Sequence, residues 1–400
     1  SRPTGPAPYD FLPPPAIRFG VGRFADLAEV VAGLGREAWL VTGSRSLDSC
    51  GGIAGVAAPL RAAGIDVTHV GACSGEPTVA DVARVVRALP NVRDREPVVV
   101  AIGGGATIDL AKAVAALATN LTNPPACDDD AVTDHLEGVG RGLPIAHQPL
   151  PLVAVPTTAG TGAEATRNAV ISCPRRRFKK SLRSPLLVPR VAVVDPALTV
   201  SCPRDVTAAS GLDAVTQLIE SFICRFGAPI PRALVLDALP RAVTALPRVL
   251  ADPADLEARA NLSHAALLSG IALTNSGLGM AHGVAAALGV ECDAPHGVAC
   301  AMMLPVAVAV NRRVCRDDYA ALERAIDPGA APDPDAAADA FAARVTALCV
   351  AAGAPRRLAD LGLSRDRLAW LAENSGGASM RGNPVQLDPG ALLPILERAW

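Results

Sequence analysis

One stretch constrains the fold more than any other: a strand-like run that ends in three glycines and then turns helical. Residues 97–102 (PVVVAI) are continuously apolar and mostly β-branched, as in a strand covered on both faces. Gly103, Gly104 and Gly105 follow, and residues 106–119 have a helical pattern. Because strand-like and helical runs alternate through the first half of the chain, we predict an α/β domain with a mostly parallel sheet.

The second half of the chain has a different pattern. After Asp195-Pro196, long helical patterns dominate almost to the end. A chain of 400 residues is long enough for two domains. We therefore predict an α/β domain over residues 1–198 and an all-α domain over residues 199–400.

Charge and cysteine content exclude several classes of protein. The chain has 37 Lys and Arg against 39 Asp and Glu, so it lacks the basic excess of a nucleic-acid or anionic-membrane binder. No window approaches the ~18 uninterrupted apolar residues of a membrane helix. The proline-rich residues 1–15 have no signal-peptide pattern. Ten cysteines are scattered without a CxxC pair, which favours reduced thiols in a cytoplasmic protein.

Two glycine-rich segments are candidate ligand loops. The glycines at 103–105 would let backbone N–H groups approach a phosphate at the start of the next helix, although a tight turn without a ligand fits equally. The segment 156–164 (PTTAGTGAE) offers three threonine hydroxyls after a strand-like run. It would hold a ribose, a phosphate or a nicotinamide amide, or would simply cap an ordinary helix.

Four polar residues of the helical half form a candidate metal site. Asp213 and Gln217 are four apart in a helical stretch and therefore project from one face. His282 lies in a helical stretch, and His296 is predicted at a turn just before the next helix. A carboxylate and neutral imidazoles suit Zn²⁺ or Fe²⁺. The alternative is a helix cap and two core histidines with ordinary hydrogen bonds.

Taken in order, these segments resemble the iron-containing (group III) alcohol dehydrogenase family. The GGG-x-x-x-D-x-A-K segment at 103–112 and the PTTAGTG segment at 156–162 are similar to its two cofactor signatures. Asp213 falls on the first metal ligand of the family. His282 and His296 fall on the last two ligands, and Asn383-Pro384 is similar to a C-terminal Asn-Pro.

The resemblance implies a Rossmann-like first domain, an all-α second domain and a cleft between them for a nicotinamide and a metal. The expected function is an NAD(P)-dependent alcohol dehydrogenase or aldehyde reductase that acts on a small alcohol or aldehyde, with Fe or Zn as Lewis acid. The expected catalytic residues are Asp213, His282 and His296, joined by Gln217 in the metal site. The expected cofactor-binding residues are Gly43, Gly104, Gly105, Ala106, Asp109, Thr157, Thr158, Thr161 and Lys179. A homo-oligomer, a homodimer or larger, is also expected.

Three positions depart from the family pattern. Gln217 stands where the family usually has histidine, so it would ligate weakly, through water, or only hydrogen-bond to substrate or to a metal-bound water. Ala286 replaces a histidine that relays protons in some members. Gly43 replaces the aspartate common in NAD-preferring members, and Ser44 and Arg45 follow it. The missing carboxylate would permit NADP, with Arg45 as a partner for the 2′-phosphate.

Three alternative functions remain at this point. One is a maleylacetate-reductase-like oxidoreductase. A second is a lyase of the dehydroquinate-synthase type, which shares the fold and would regenerate its NAD. A third is a non-catalytic binding or assembly module, against which the retained glycine-rich loops and histidines argue.

Overall fold

The computed structural model describes residues 8–43, 47, 50–90 and 97–400, and these form two compact units. The sheet unit comprises Pro13–Thr158 and Ala163–Cys202. The helical unit comprises residues 8–12, Ala159–Gly162 and Pro203–Trp400. The sequence suggested a single division at 198–199, whereas part of the PTTAGTG segment also groups with the helical unit.

The sheet unit is built on parallel strands. Its strands in the described residues are β1 (Ala16–Phe19), β2 (Glu37–Gly43), β3 (Asp66–Cys73), β4 (Pro97–Gly103), β5 (Leu152–Pro156), β6 (Asn168–Cys173), β7 (Phe178–Arg183) and β8 (Val191–Val194). Six of them form one sheet in the order β1-β8-β5-β4-β2-β3, and every neighbouring pair is parallel. The remaining two, β6 and β7, form an antiparallel hairpin.

Helices cover both faces of this sheet. The helices of the sheet unit are α1 (Leu27–Ala32), α2 (Gly52–Ala62), α3 (Val79–Ala88), α4 (Gly105–Asn120) and α5 (Asp129–Thr133). Trp39 and Val99 belong to the core on one face of the sheet, and Leu40 and Val100 belong to the core on the other. Because successive residues of a strand point to opposite faces, both faces need apolar side chains, which explains the continuous apolar runs.

The helical unit contains ten α-helices in the described residues. They are α6 (Arg204–Ile223), α7 (Pro229–Ala251), α8 (Leu256–Asn275), α9 (Met280–Cys292), α10 (His296–Asn311), α11 (Arg316–Ile326), α12 (Pro334–Ala351), α13 (Leu368–Asn374), α14 (Ala378–Gly382) and α15 (Pro389–Ala399). One core includes the stacked rings of Tyr319 and Phe341, and a second includes Met280 and Met303. The predicted fold class, a parallel α/β domain and a helical domain, is confirmed.

Three local expectations need correction. His296 is the first residue of α10 and does not lie in the turn before that helix. The strand β7, with the polar sequence FKKSLR, was not predicted, because this mostly half-buried strand lacks an apolar run. The polar, glycine-containing residues 127–147 predict a loop, but they include the short helix α5.

Among the described residues, no single helix combines the length and apolar composition of a membrane span. Among these residues, α8 and α9 have this length and composition only when taken together, and a bend of 99° separates the two helices.

Candidate metal centre and nucleotide-binding edge

Helix α6 presents three polar side chains on one face. Asp213, Gln217 and Glu220 are spaced i, i+4 and i+7, so they lie above one another along the helix. All three are buried, with Asp213 and Glu220 only 1% exposed. Buried carboxylates are rare unless they are paired or bind a metal, so this face of α6 is a candidate functional site.

Helices α9 and α10 bring further ligand-type atoms to Asp213. The Nε2 atom of His282 lies 3.2 Å from Asp213 Oδ1, and the Nε2 atom of His296 lies 3.9 Å from the same oxygen. The Sγ atom of Cys300, one turn after His296, lies 3.7 Å from His296 Nε2. One ligand atom from each of these four residues lies within 4.8 Å of all the others. The predicted residues Asp213, His282 and His296 are therefore together.

The donor atoms of this cluster suit a cation. Asp213 Oδ1 and His282 Nε2 are buried, and neither has a hydrogen-bond partner among the described residues. His282 Nδ1 lies 2.7 Å from Glu220 Oε2, and in the neutral ring that donates its Nδ1–H to this carboxylate, Nε2 carries a lone pair for a metal. A carboxylate behind a ligating histidine is a common arrangement in metal sites, since it fixes the ring and its tautomer. The residues present therefore fit a divalent metal ion.

The carboxylate of Glu220 also holds the start of α9. Its Oε1 atom accepts a hydrogen bond from Ala281 N at 2.7 Å. Gly279 precedes the helix, and a Cβ atom there would lie 2.7 Å from Glu220 Oε1, so only glycine permits this approach. The negative charge at the N-terminus of α9 is also favourable for the helix dipole. Glu220 thus positions His282 both through its ring and through the helix that carries it.

The pKa values of the cluster reflect mutual stabilisation of charge. Burial alone would raise the pKa of Asp213, but His282 and His296 lower it below its ordinary value. Burial alone would lower the pKa of His282, but its neighbours Cys300, Asp213 and Glu220 together raise it well above its ordinary value. Burial raises the pKa of the Cys300 thiol to about 12.

Gln217 lies beside the cluster with both ends of its amide engaged. Its Nε2 atom donates to Asp213 Oδ2 at 3.1 Å, and its Oε1 atom accepts from the Ser269 hydroxyl at 2.6 Å. The amide therefore holds the second oxygen of Asp213 in place. A direct bond from Gln217 to a metal stays a prediction.

Asn383 of the predicted Asn-Pro pair joins the two histidine-bearing helices. Its Oδ1 atom accepts from Met280 N at 3.2 Å and from Asn311 Nδ2 at 2.9 Å. Its Nδ2 atom donates back to Asn311 Oδ1 at 3.1 Å. Asn383 therefore ties the first residue of α9 to the last residue of α10.

In the sheet unit, the two candidate ligand loops meet at the carboxyl ends of adjacent strands. Gly103 of β4 pairs with Pro156 of β5, and Thr157 N donates to Gly103 O at 3.0 Å. A Cβ atom on Gly104 would lie 3.3 Å from the hydroxyl of Thr158. A side chain at residue 104 would therefore press against Thr158, and its absence lets a ligand approach the backbone at the N-terminus of α4, which suits an anion.

The remaining cofactor candidates of the sheet unit lie at the same strand ends or near them. Gly43 ends β2, the neighbour of β4, on the same sheet edge. Ala106 is the second residue of α4, directly after Gly105. Ser44 and Arg45 lie outside the described residues.

Two charged residues of the sheet unit are tied to neighbouring groups. Asp109 Oδ2 accepts a hydrogen bond from Val170 N at 3.0 Å, and burial raises the pKa of Asp109 to about 6. Lys179 forms an ion pair with Glu76. Their contacts with a cofactor stay predictions.

Lys112, the last residue of the first signature, is buried and has three acceptors around its ammonium group. Its Nζ atom donates to Thr166 O at 2.8 Å, to Thr166 Oγ1 at 2.7 Å and to Asn168 O at 3.0 Å. Burial lowers the pKa of Lys112 to about 8. Because an ammonium has three donor hydrogens, this lysine braces the chain before β6.

The glycines of the second loop have a different setting. A Cβ atom on Gly160 would lie 2.6 Å from Ser210 Cβ of α6. Gly162 has a φ of +60°, and a Cβ atom there would lie 2.5 Å from the Cα atom of Gly270 in α8. Both glycines therefore allow the loop to touch helices of its own unit. Thr161 lies between them, partly exposed.

Sequence reasoning missed Glu220 and Cys300 as members of the cluster. Glu220 follows Asp213 at i+7 on the same helix, and Cys300 follows His296 at i+4. Both spacings place the residues on one helix face. That signal was present in the sequence, but the cysteine was interpreted as an ordinary core thiol.

Comparisons with protein families cover nearly the whole chain. Residues 14–196 match the model described as "Iron-containing alcohol dehydrogenase". Residues 207–400 match the model described as "Fe-containing alcohol dehydrogenase family, C-terminal".

Individual proteins are similar along their full lengths. The probable alcohol dehydrogenase EutG of Salmonella typhimurium is 34% identical over 378 residues, which cover 94% of this chain and 90% of that protein. The crystal structure of a 1,3-propanediol oxidoreductase has a TM-score of 0.89 at 28% identity and covers 98% of this chain and 100% of its own. The NAD⁺ complex of sulfoacetaldehyde reductase from Bifidobacterium kashiwanohense has a TM-score of 0.83 at 29% identity, covering 98% and 99%.

Proposed function

The chain belongs to the iron-containing alcohol dehydrogenase family, and from this premise we propose that it transfers hydride between NAD or NADP and a small alcohol or aldehyde. The observation that carries the proposal is the pair of buried atoms Asp213 Oδ1 and His282 Nε2. They lie 3.2 Å apart without hydrogen-bond partners among the described residues, next to His296.

In this proposal Asp213, His282 and His296 hold a divalent ion, Fe²⁺ or Zn²⁺. When bound, the ion would supply Lewis-acid chemistry toward the substrate oxygen. The residues themselves do the positioning. Asp213 supplies negative charge, Gln217 holds its second oxygen, and Glu220 keeps the proton of His282 on Nδ1, so that Nε2 faces the cluster.

The sheet unit would bind the cofactor through backbone groups. The nicotinamide supplies or accepts the hydride when bound. The turn at Gly104 leaves room for a pyrophosphate against the N-terminal end of α4, which carries partial positive charge. Thr158, beside that turn, offers a hydroxyl that donates or accepts a hydrogen bond. The NAD⁺ complex of the similar sulfoacetaldehyde reductase supports a nicotinamide cofactor here.

The test combines metal analysis with a cofactor assay. Purified protein should contain about one divalent metal ion per chain, and an aldehyde panel should cause net oxidation of NADH or NADPH, followed by absorbance. His282→Ala should lower kcat about 1000-fold, because the loss of metal removes several kcal/mol of charge stabilisation. The dissociation constant for the nucleotide should stay unchanged.

His264→Ala is the matched control, since His264 also lies on a helix of the helical unit but contacts Asp237, away from the cluster. Its activity should equal that of the unchanged protein. Full turnover in His282→Ala would contradict the proposal, as would substrate consumption without net change in NADH or NADPH, which is the behaviour of a lyase that regenerates its cofactor.

A cytoplasmic location and a homo-oligomeric state complete the proposal. All ten cysteines are free thiols, which supports a reducing compartment. The oligomeric state rests on the family resemblance alone, and light scattering of the purified protein measures it directly.

A further inference from the structure

The cluster contains a fourth ligand-type atom that the family pattern does not assign. Cys300 is fully buried and lies one helical turn after His296 on α10. Its Sγ atom is 3.7 Å from His296 Nε2 and within 4.8 Å of the ligand atoms of Asp213 and His282. The thiol therefore faces the same point as Asp213 Oδ1 and His282 Nε2, which lie 3.2 Å apart and make no hydrogen bond by geometry among the described residues.

These separations match a single four-coordinate ion. Bonds of about 2.0–2.3 Å to oxygen, nitrogen and sulfur place tetrahedral ligand atoms about 3.3–3.7 Å apart. In the structure, the ligand atoms lie 3.2 Å apart in Asp213 and His282, 3.7 Å apart in His296 and Cys300, and 3.9 Å apart in Asp213 and His296. Shifts of a few tenths of an ångström would complete the arrangement.

Gln217 is less suited to be the fourth ligand. Only its Oε1 atom has lone pairs for a metal, and that atom lies 2.6 Å from the Ser269 hydroxyl, whose single hydrogen is shared with Ala266 O at 2.7 Å. Its Nε2 atom, which cannot ligate, is the one that points to Asp213. The side chain that replaces histidine in this chain is therefore engaged in holding a ligand.

We propose that the metal ion is held by Asp213, His282, His296 and the thiolate of Cys300, with Gln217 outside the ligand set. This inference rests on the metal site of the proposed function and specifies its ligands. On binding, the S–H bond breaks, the sulfur–metal bond forms, and one proton passes to solvent. A thiolate is a soft ligand, so the donor set favours Zn²⁺ over Fe²⁺.

Two measurements on the whole protein test the ligand set. Metal-free protein titrated with Co²⁺ should bind one ion per chain with a thiolate-to-cobalt charge-transfer band in the near ultraviolet. X-ray absorption of the Zn²⁺-loaded protein should contain a sulfur shell at about 2.3 Å. Cys300→Ser should lose both signals and bind Zn²⁺ more than about 100-fold more weakly, beyond the 10–100-fold typical of residues outside a ligand set.

Two variants serve as references. Cys349→Ser removes another buried cysteine of the helical unit, on α12, and should keep both signals. Gln217→Ala should also keep both, with Zn²⁺ affinity reduced no more than about 100-fold. Should Cys300→Ser fail to fold, the sulfur shell of the unchanged protein tests thiolate ligation, and Cys300→Ala tests the assignment to this cysteine.

The outcomes separate this inference from the proposed function. Binding of Co²⁺ and Zn²⁺ through nitrogen and oxygen only, unchanged in Cys300→Ser, would overturn the thiolate ligand and leave the metal-dependent function intact. If the unchanged protein binds neither ion, both proposals fail. A sulfur shell that persists in Cys300→Ser also overturns the assignment to this cysteine.

Discussion

The two glycine-rich loops look alike in sequence, yet their glycines have different surroundings. At Gly104 an added Cβ atom would meet only the Thr158 side chain, at 3.3 Å or more. At Gly162 it would meet the backbone of α8 at 2.5–2.6 Å, in a left-handed conformation. In the first loop Gly103 packs against a side chain of α4 and Gly104 leaves 3.3 Å or more around its missing Cβ, whereas both Gly160 and Gly162 of the second loop pack against helices. Glycine content alone therefore does not identify a ligand loop; the atoms around the missing Cβ do.

The largest expected effect is a loss of stability when a glycine of the second loop is replaced. Gly162→Ala should lower the free energy of unfolding by about 3 kcal/mol, because it combines a positive φ with backbone overlap that neither neighbour can relieve. In a unit of about 200 residues this corresponds to a fall in Tm of roughly 6–12 °C, measured by calorimetry.

Gly376→Ala is the control for this substitution. A Cβ atom at Gly376 would meet nothing within 4 Å, so its Tm should stay unchanged. If Gly162→Ala has the same Tm as the unchanged protein, α8 can move aside to accommodate the methyl group. The distinction between the two loops would then be lost.

A smaller effect, on nucleotide affinity, is expected when Gly104 of the first loop is replaced. Gly104→Ala should weaken nucleotide binding roughly tenfold, because a methyl group in the open space costs about one hydrogen bond to a charged phosphate, ~1.5 kcal/mol. Isothermal titration with NADH and NADPH measures this change. The Tm and the Zn²⁺ affinity should stay constant, and a loss of stability without a loss of nucleotide affinity would reverse the assignment.

The smallest effect concerns the neighbour of that glycine. Thr158→Val keeps the side-chain shape and removes the hydroxyl, so nucleotide affinity should fall about fivefold, or ~1 kcal/mol. The same titration measures it. An affinity equal to that of the unchanged protein would mean that the hydroxyl only packs beside Gly104 and does not contact the cofactor.

Much of the sheet unit was predictable because its strands are covered on both faces. Residues 97–102 and 191–194 read as continuous apolar runs, and both are strands of the sheet. The hairpin strand β7 was not predicted, because apolar and polar residues alternate too little in FKKSLR and three of its residues are charged. His296 was predicted at the turn before the next helix, but it is the first residue of α10, directly after Pro295, and proline is well tolerated at a helix start.

The members of the metal cluster were predictable where residue type and spacing alone indicate a ligand. Asp213, His282 and His296 stood out by type and spacing, and the fold brings them together. The roles of Gln217 and Glu220 depend on which atom faces which partner, as do those of Ser269 and Cys300. Such orientations follow from tertiary packing between α6, α8, α9 and α10, and no periodicity in the sequence encodes them.

The clamp made by Asn383 has a consequence for biosynthesis. Because this side chain bonds to Met280 and Asn311, the two histidine-bearing helices lack their tie until the ribosome has added residue 383. A nascent chain that already carries every candidate metal ligand therefore still lacks this tie. Under the proposed function, the ion would therefore reach its finished coordination geometry only after residue 383 has been synthesised.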